Sequence, residues 1–418
     1  MTRKHPSFDQ GRRRFLRASI LAAAGISGAM TVYARKPFLI NPCLDPTDTV
    51  GSQSPWLAHV WQGLDPAKVW DCHVHLAGIG DGAHELFVGE KLMSLWHPVL
   101  YGQRLFYMNA GCASTEPGSV DENYVRRLAF LTRNMPAGVK AMLFAFDWYH
   151  NDSGQPVPKA STFYVPDSYA RQMAEDHPDV FEWVASIHPY RDDAVDRLEA
   201  AAAQGARAVK WLPAAQNIDP DSNRCDAFFA ALARLRLPLI IHCGEEKAVQ
   251  GGINLMYFGN PLRLRRALDA GVRVVVAHCA SHGEDEDLDK KGTRQSSFDL
   301  FARLMDRPEW KKNLFGDISA TVLRNRKPEI LKTLLMREDW HGRLLNGSDY
   351  PLPGILPLIS LSRFVRHGLL PKESVDGLAS LRQANALYFD LALKRSLAWQ
   401  GKSFPAQVFE TRAFFEAI

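Results

Sequence analysis

The chain has 418 residues, 46% of them hydrophobic and 23% charged, with a formal net charge of +4. That is a globular composition, and a core of this size needs no disulfide staples. Six basic side chains (Arg3, Lys4, Arg12, Arg13, Arg14 and Arg17) against Asp9 put five net positive charges in residues 1–34, so the other 384 residues sum to −1 and offer no basic field for nucleic acid.

In chain order, the first element is a leader, residues 1–34. Its basic stretch precedes an apolar run from Ala18 to Met30, too short to span a bilayer comfortably. The run reads as a signal-peptide core, with Val32-Tyr33-Ala34 as a small-residue cleavage site. Arginines 12–14 followed by Phe15, Leu16 and Arg17 resemble a twin-arginine export signal. The resemblance implies the twin-arginine machinery as a partner and a periplasmic or secreted mature chain. An uncleaved leader would instead tether the protein to the membrane. No other segment is a transmembrane candidate.

Residues 35–67 are rich in Pro, Asp, Ser and Thr and read as an extended lead-in. From Val69 onward, short apolar runs alternate with helical periods. Strands are predicted at 69–76 (VWDCHVHL), 138–147, 180–189, 206–212, 238–243, 272–279, 313–319 and 342–349. Helices are predicted near 85–95, 122–133, 192–204 (closed by Gly205), 225–236, 261–270, 297–306, 328–336 and 373–396. Residues 77–136 form a long excursion, and 283–291 (GEDEDLDKK) read as a solvated loop. Eight buried, continuously apolar strands with helical crossovers predict an α/β fold, a (β/α)8 TIM-like barrel over 68–398 with a tail at 399–418. An open doubly wound sheet lacks the Gly-rich phosphate loop after strand one.

Barrel chemistry sits at the C-terminal ends of strands. His73 and His75 end strand one; period-two alternation turns both rings to one side. Lys210 lies in strand four, His242 ends strand five, His278 ends strand six, and Asp349 follows strand eight. Taken singly each has an ordinary reading: a hydrogen-bonded histidine, a snorkelling lysine, a turn aspartate. Together, six polar side chains at the ends of apolar runs would be costly to bury apart, and a shared divalent ion compensates them at once. Arg191 and His188 after strand three, Glu245 after strand five and His282 after strand six are candidate substrate contacts, Arg191 as a carboxylate grip. Tyr190, Glu246 and Glu284 are further polar neighbours. Trp70, Trp148 and Trp211 are expected in the core. Cys72, Cys243 and Cys279, inside apolar runs, read as buried free thiols; disulfides are not required.

The segments WDCHVHL, GARAVKWLP, PLIIHCG, VVVAHCAS and LLNGSDYP resemble the amidohydrolase-related (amidohydrolase-2-like) branch of the amidohydrolase superfamily, and RQANALYFDLAL (382–393) resembles its closing helix. The likeness covers about residues 68–395, and the excursion departs from it. It implies a metal-dependent hydrolase acting on an amide, ester or lactone of a small molecule. In a one-ion site, with zinc or a similar divalent ion as the resemblance implies, His73, His75, His242 and Asp349 are the ligands and His278 stands by the open position. In a two-ion site a carboxylated Lys210 bridges: His73, His75 and Asp349 hold one ion, His242 and His278 the other. Asp349, His278 and Lys210 are the implied catalytic residues, Asp349 taking a proton from water and passing it to the leaving group. Neutral imidazoles are needed for ligation, so metal binding is expected to weaken below about pH 6. Two alternatives stay open: a metal-dependent decarboxylase or hydro-lyase acting on an unsaturated or aromatic acid, and a non-catalytic metal- or ligand-binding barrel. A homo-oligomer is compatible with either.

Overall fold

The computed structural model describes residues 40–44, 59–82, 84–113, 120–246 and 255–416. The leader, its cleavage site and most of the lead-in lie outside the described residues.

Eight parallel strands form the frame: β1 (Trp70–His75), β2 (Lys140–Phe144), β3 (Phe181–Val184), β4 (Val209–Trp211), β5 (Leu239–His242), β6 (Val274–Ala277), β7 (Leu314–Asp317) and β8 (Leu344–Leu345). They pair as a three-stranded sheet, β1-β2-β3, and a five-stranded sheet, β8-β7-β6-β5-β4. Isolated parallel bridges join the sheets at both seams, Ala185 with Val209 and Val74 with Tyr350. At the first seam Lys210 N donates to Ala185 O (2.7 Å); at the second Cys72 N donates to Asn346 O (3.1 Å) and His75 N to Tyr350 O (3.0 Å). Backbone hydrogen bonding thus runs round all eight strands, the (β/α)8 arrangement.

Each strand is shorter than its apolar run. The ends of the runs are spent in turns that aim side chains at the rim. β8 is the extreme case: two residues are paired as strand, and Asn346–Asp349 curve away to meet β1.

Helices α1 (Pro98–Ala110), α2 (Val120–Arg133), α3 (Asp167–Asp176), α4 (Ala194–Ala203), α5 (Asp226–Leu235), α6 (Arg265–Asp269), α7 (Ser297–Met305), α8 (Pro328–Met336), α9 (Val375–Ala384) and α10 (Ala386–Ser396) supply the crossovers and outer layer. α4 closes as its sequence predicts: Gly205 takes φ +85° and Ala206 N donates to Ala201 O (2.9 Å). The predicted helix 373–396 is two helices, because Asn385 leaves helical geometry and caps Tyr388 N (3.0 Å). The predicted helix 85–95 is corrected. Phe87–Val88 pairs antiparallel with Phe163–Tyr164, and only Glu90–Met93 is helical. Apolar aromatic residues on both segments favour the ribbon, which brings the excursion over the barrel mouth. The predicted loop 283–291 also needs correction: Glu284–Glu286 pairs with Arg294–Ser296, and Asp287 is buried against Arg303 (2.7 Å).

The barrel interior is filled by Trp70, Cys72, Met142, Phe144, Val184, Ala208, Ile240, Val275 and Leu345. The predicted tail belongs to this core. Phe415 is fully buried among these residues, and Thr411 Oγ1 donates to Trp70 O (2.5 Å). Burying one aromatic ring there stabilises the fold by roughly 3 kcal/mol. Trp70 and Trp211 are core; Trp148 is half-buried and stacks on Tyr164 at 4.1 Å. Cys72, Cys225, Cys243 and Cys279 are buried free thiols, while Cys43 and Cys112 form a disulfide. No helix among the described residues is long and apolar enough to cross a membrane.

Candidate active site and metal centre

Strand β1 does not reach the site by simple alternation. Trp70 and Cys72 face the interior, so strict alternation would send His73 and His75 outward. The register against β2 steps from Asp71↔Ala141 to Val74↔Leu143, three residues against two. This β-bulge reverses the phase and turns both histidines into the mouth. Lys210 and His242 need no such device, because they share a face with Ala208 and Ile240. His278 opens a turn in which it, Cys279 and Ala280 take φ of +56°, +49° and +48°. Asp349 also takes positive φ (+60°), with its N–H donating to His73 O at 2.8 Å.

These turns bring together five of the six predicted residues around Asp349 and His73. Asp349 Oδ1 lies 3.2 Å from His75 Nε2 and 3.6 Å from His73 Nε2; Oδ2 lies 3.8 Å from His278 Nε2. Lys210 Nζ is 3.4 Å from His73 Nε2. His242 stands with its ring 5.3 Å from that of His278.

The sequence reading missed the residue behind them. Asp317, at the end of β7, places Oδ2 2.9 Å from His73 Nδ1, and its other oxygen accepts from His278 N (2.9 Å) and from Ser319 Oγ. Its signal was available, a carboxylate ending the apolar strand in NLFGDIS. Because ionised Asp317 only accepts, His73 carries its proton on Nδ1 and shows a bare Nε2 to the cavity. Ser319 Oγ donates to Asp317, so it accepts from His278 Nδ1 (2.8 Å). That leaves His278 Nε2 bare as well.

Electrostatics agree. Burial, then Lys210, pushes His73 down to about 3, and burial pushes His278 down to about 4. Burial and His278 hold His242 well below the imidazole range, and burial lowers Lys210. For Asp349 burial acts upward, but His278, His75 and His73 outweigh it and hold the carboxyl well below its usual range.

This constellation fits a divalent ion. His73, His75 and Asp349 each offer an atom, and these atoms lie within 4.8 Å of one another. His242 Nε2 is buried with no hydrogen-bond partner, an orphan that a fourth ligand role would satisfy. The second cluster, His73, His278 and Asp317, lies behind, since Asp317 does not line the cavity.

The cavity above has a volume of about 330 Å³. Of the candidate substrate contacts, Glu245 and His282 line it, with Glu245 Oε2 3.3 Å from His282 Nε2; Glu246 does too. His188 and Arg191 do not line it, which corrects the expectation that they face the mouth. His188 Nε2 donates to Gln216 O (2.9 Å) and Nδ1 accepts from Tyr190 N (3.2 Å), so the ring is a buried tie. Arg191 is drawn onto Asp193 (2.7 Å). Glu284 lies in the exposed ribbon.

A parallel barrel with two histidines on β1, histidines at β5 and β6 and an aspartate after β8 defines a metal-dependent enzyme of the amidohydrolase type. Residues 70–354 match the family model described as Amidohydrolase, and the chain belongs to that family. No curated protein matches the chain. Among solved structures it is similar to a probable 2-pyrone-4,6-dicarboxylic acid hydrolase from Acinetobacter baumannii (13% identity, 77% of this chain and 99% of that one, TM-score 0.41). It is also similar to 5-carboxyvanillate decarboxylase from Novosphingobium aromaticivorans, complexed with manganese (12% identity, 83% and 96%, TM-score 0.43). Likenesses at these identities assign no activity.

Proposed function

We propose that this protein is a hydrolase that holds one zinc ion and cleaves an amide, ester or lactone bond of a small molecule. The observation that carries the reading is the convergence of His73 Nε2, His75 Nε2 and Asp349 Oδ1 at the floor of a largely apolar cavity. Three nitrogens, counting His242, and one carboxylate are a ligand set suited to zinc. Bound there, such an ion supplies Lewis-acid polarisation of a carbonyl and a water acidic enough to lose its proton near neutral pH.

The chain's own residues do the rest. Asp317 and Ser319 fix the tautomers of His73 and His278, so both present lone pairs. Asp349 is ionised and faces the cavity with Oδ2, which can accept a proton from water and return it to a leaving nitrogen or oxygen. His278 Nε2, 3.8 Å from that oxygen, can share the proton during transfer. Buried at the floor of the cavity, each of these charges acts more strongly than it would in bulk water.

Hydrolysis of an ester, lactone and amide panel should disappear on chelation and return with zinc, with no carbon dioxide released. Release of carbon dioxide without a hydrolysis product would select decarboxylation on the same scaffold. His73→Ala should leave less than about a tenth of the bound metal by elemental analysis; full retention would remove the ligand role.

The leader supports twin-arginine export to the periplasm, and the Cys43–Cys112 disulfide supports an oxidising destination. Replacing arginines 12–14 with lysine should trap the precursor in the cytoplasm, and unchanged export of a cleaved chain would refute that route.

A further inference from the structure

Two cations of the cavity, Arg104 and Arg326, have no part in the chemistry above. Arg326, between β7 and α8, is 8% exposed and lines the cavity. Its Nε donates to Ser281 Oγ (3.1 Å), and its carbonyl accepts from Arg363 Nη2 (2.6 Å). The guanidinium is therefore pinned along one edge. Its two terminal nitrogens make no hydrogen bond among the described residues. Glu246, Asp349 and Glu245 act on it through space, and none of them pairs with it directly. The open edge faces the cavity, and no described residue hydrogen-bonds it.

The other cations of the cavity are differently placed. Lys210 is held at His73 (3.4 Å); Arg104, half-buried, lies over the Tyr101 ring at 4.9 Å, and its Nε is buried with no hydrogen-bond partner. The cavity that Arg326 lines carries the apolar side chains of Leu86, Phe87, Met108, Phe163, Leu323 and Leu358, with Asn325, Glu245 and Glu246 among its polar ones. A planar fork fixed at one edge and open at the other matches a carboxylate through two parallel N–H···O bonds.

We propose that the substrate is a carboxylic acid with an apolar body. Its carboxylate sits on the open edge of Arg326, its body lies against the wall built partly by the excursion, and its scissile group turns toward His73, His75 and Asp349. This rests on the hydrolase reading and names the substrate class of that site. The grip belongs to Arg326, whereas the sequence had offered Arg191.

The test compares phenylacetate with its neutral isostere phenylacetamide, read by ligand titration without turnover. It uses zinc-loaded protein and the same protein after chelation. The wild type should prefer the acid by at least about tenfold in both states. Arg326→Met should remove that preference while binding phenylacetamide within about twofold of wild type, and Arg326→Lys should restore part of it. Circular dichroism checks the variants' fold; if the Met variant is unfolded, the acid-to-amide ratio of the wild type and the Lys variant carries the test. Failure of the acid to bind, equal affinity for both probes, or an unchanged preference in folded Arg326→Met would overturn the proposal. So would a preference that vanishes on chelation, since the carboxylate would then sit on the ion. Failure of the hydrolase reading shows separately, as hydrolysis indifferent to chelator.

Discussion

Asp317 Oδ2 stands 2.9 Å from His73 Nδ1, and this contact decides which nitrogen of His73 faces the cavity. Asp317→Asn keeps the volume but removes the charge that holds the imidazole's proton in place. Metal affinity should fall by about 10- to 100-fold with the fold retained. Titration of the metal-free protein measures this, and an unchanged affinity would make Asp317 a purely structural residue.

Lys210→Met tests the ion count, because Met fills most of the volume without offering a carbamate. Bound zinc per chain should stay at one, while turnover drops by about 10²-fold or more through loss of the cation beside His73. Halved metal would establish a second ion bridged by carboxylated Lys210.

Gly347 packs against β1 so closely that an added Cβ would lie 2.5 Å from His73 Cβ and 2.9 Å from its backbone nitrogen. Both are stiff, buried neighbours. Gly347→Ala should cost about 1–3 kcal/mol of stability and displace His73, weakening metal binding as well. Denaturant unfolding and metal titration read the two effects; wild-type values in both would mean that β8 shifts freely away from β1.

The pH dependence follows from buried imidazoles. Burial holds His73 near 3 and His278 near 4, below the 6.5 of an exposed histidine. As pH falls below about 6.5 the unfolded chain takes up protons before the folded one, so stability is full above that pH and drains away toward pH 4 and then 3. Between pH 7.5 and 5 the two groups together should cost the metal-free protein about 4 kcal/mol, and His278→Gln should flatten its share. Urea unfolding across that range checks the slope; a flat profile would refute neutral imidazoles. The structure also moves proton competition for the metal below the pH of about 6 expected from ordinary histidines.

The thiols give a chemical count. Cys72, Cys225, Cys243 and Cys279 are buried, and Cys43–Cys112 closes a loop across 69 residues. Native protein should react slowly with a thiol reagent, denatured protein should show four thiols, and reduced denatured protein six. Reduction should destabilise the lead-in and α1 by up to about 4 kcal/mol.

Much of the site was legible as sequence. His73, His75, Lys210, His242, His278 and Asp349 each interrupt an apolar run where the run ends, and that pattern survives without coordinates because strand ends in a barrel share one rim. Eight runs alternating with helical periods gave the frame for the same reason: burial of both faces writes itself as continuous hydrophobicity. The helix misread at 85–95 shows the limit, since a short apolar run carries no partner in its own letters. Phe87–Val88 becomes a strand only because Phe163–Tyr164 lies beside it.

What the chain alone determined, then, is local: the apolar periods, their order, and the polar groups that stop them. The tertiary structure decided the rest, because it depends on atoms far apart in sequence. It placed Asp317 behind His73 across 244 residues, reversed the phase of β1 by one bulged residue, and left Arg326 open toward the cavity. Proximity of that kind is set by closure of the barrel, and no single segment encodes it.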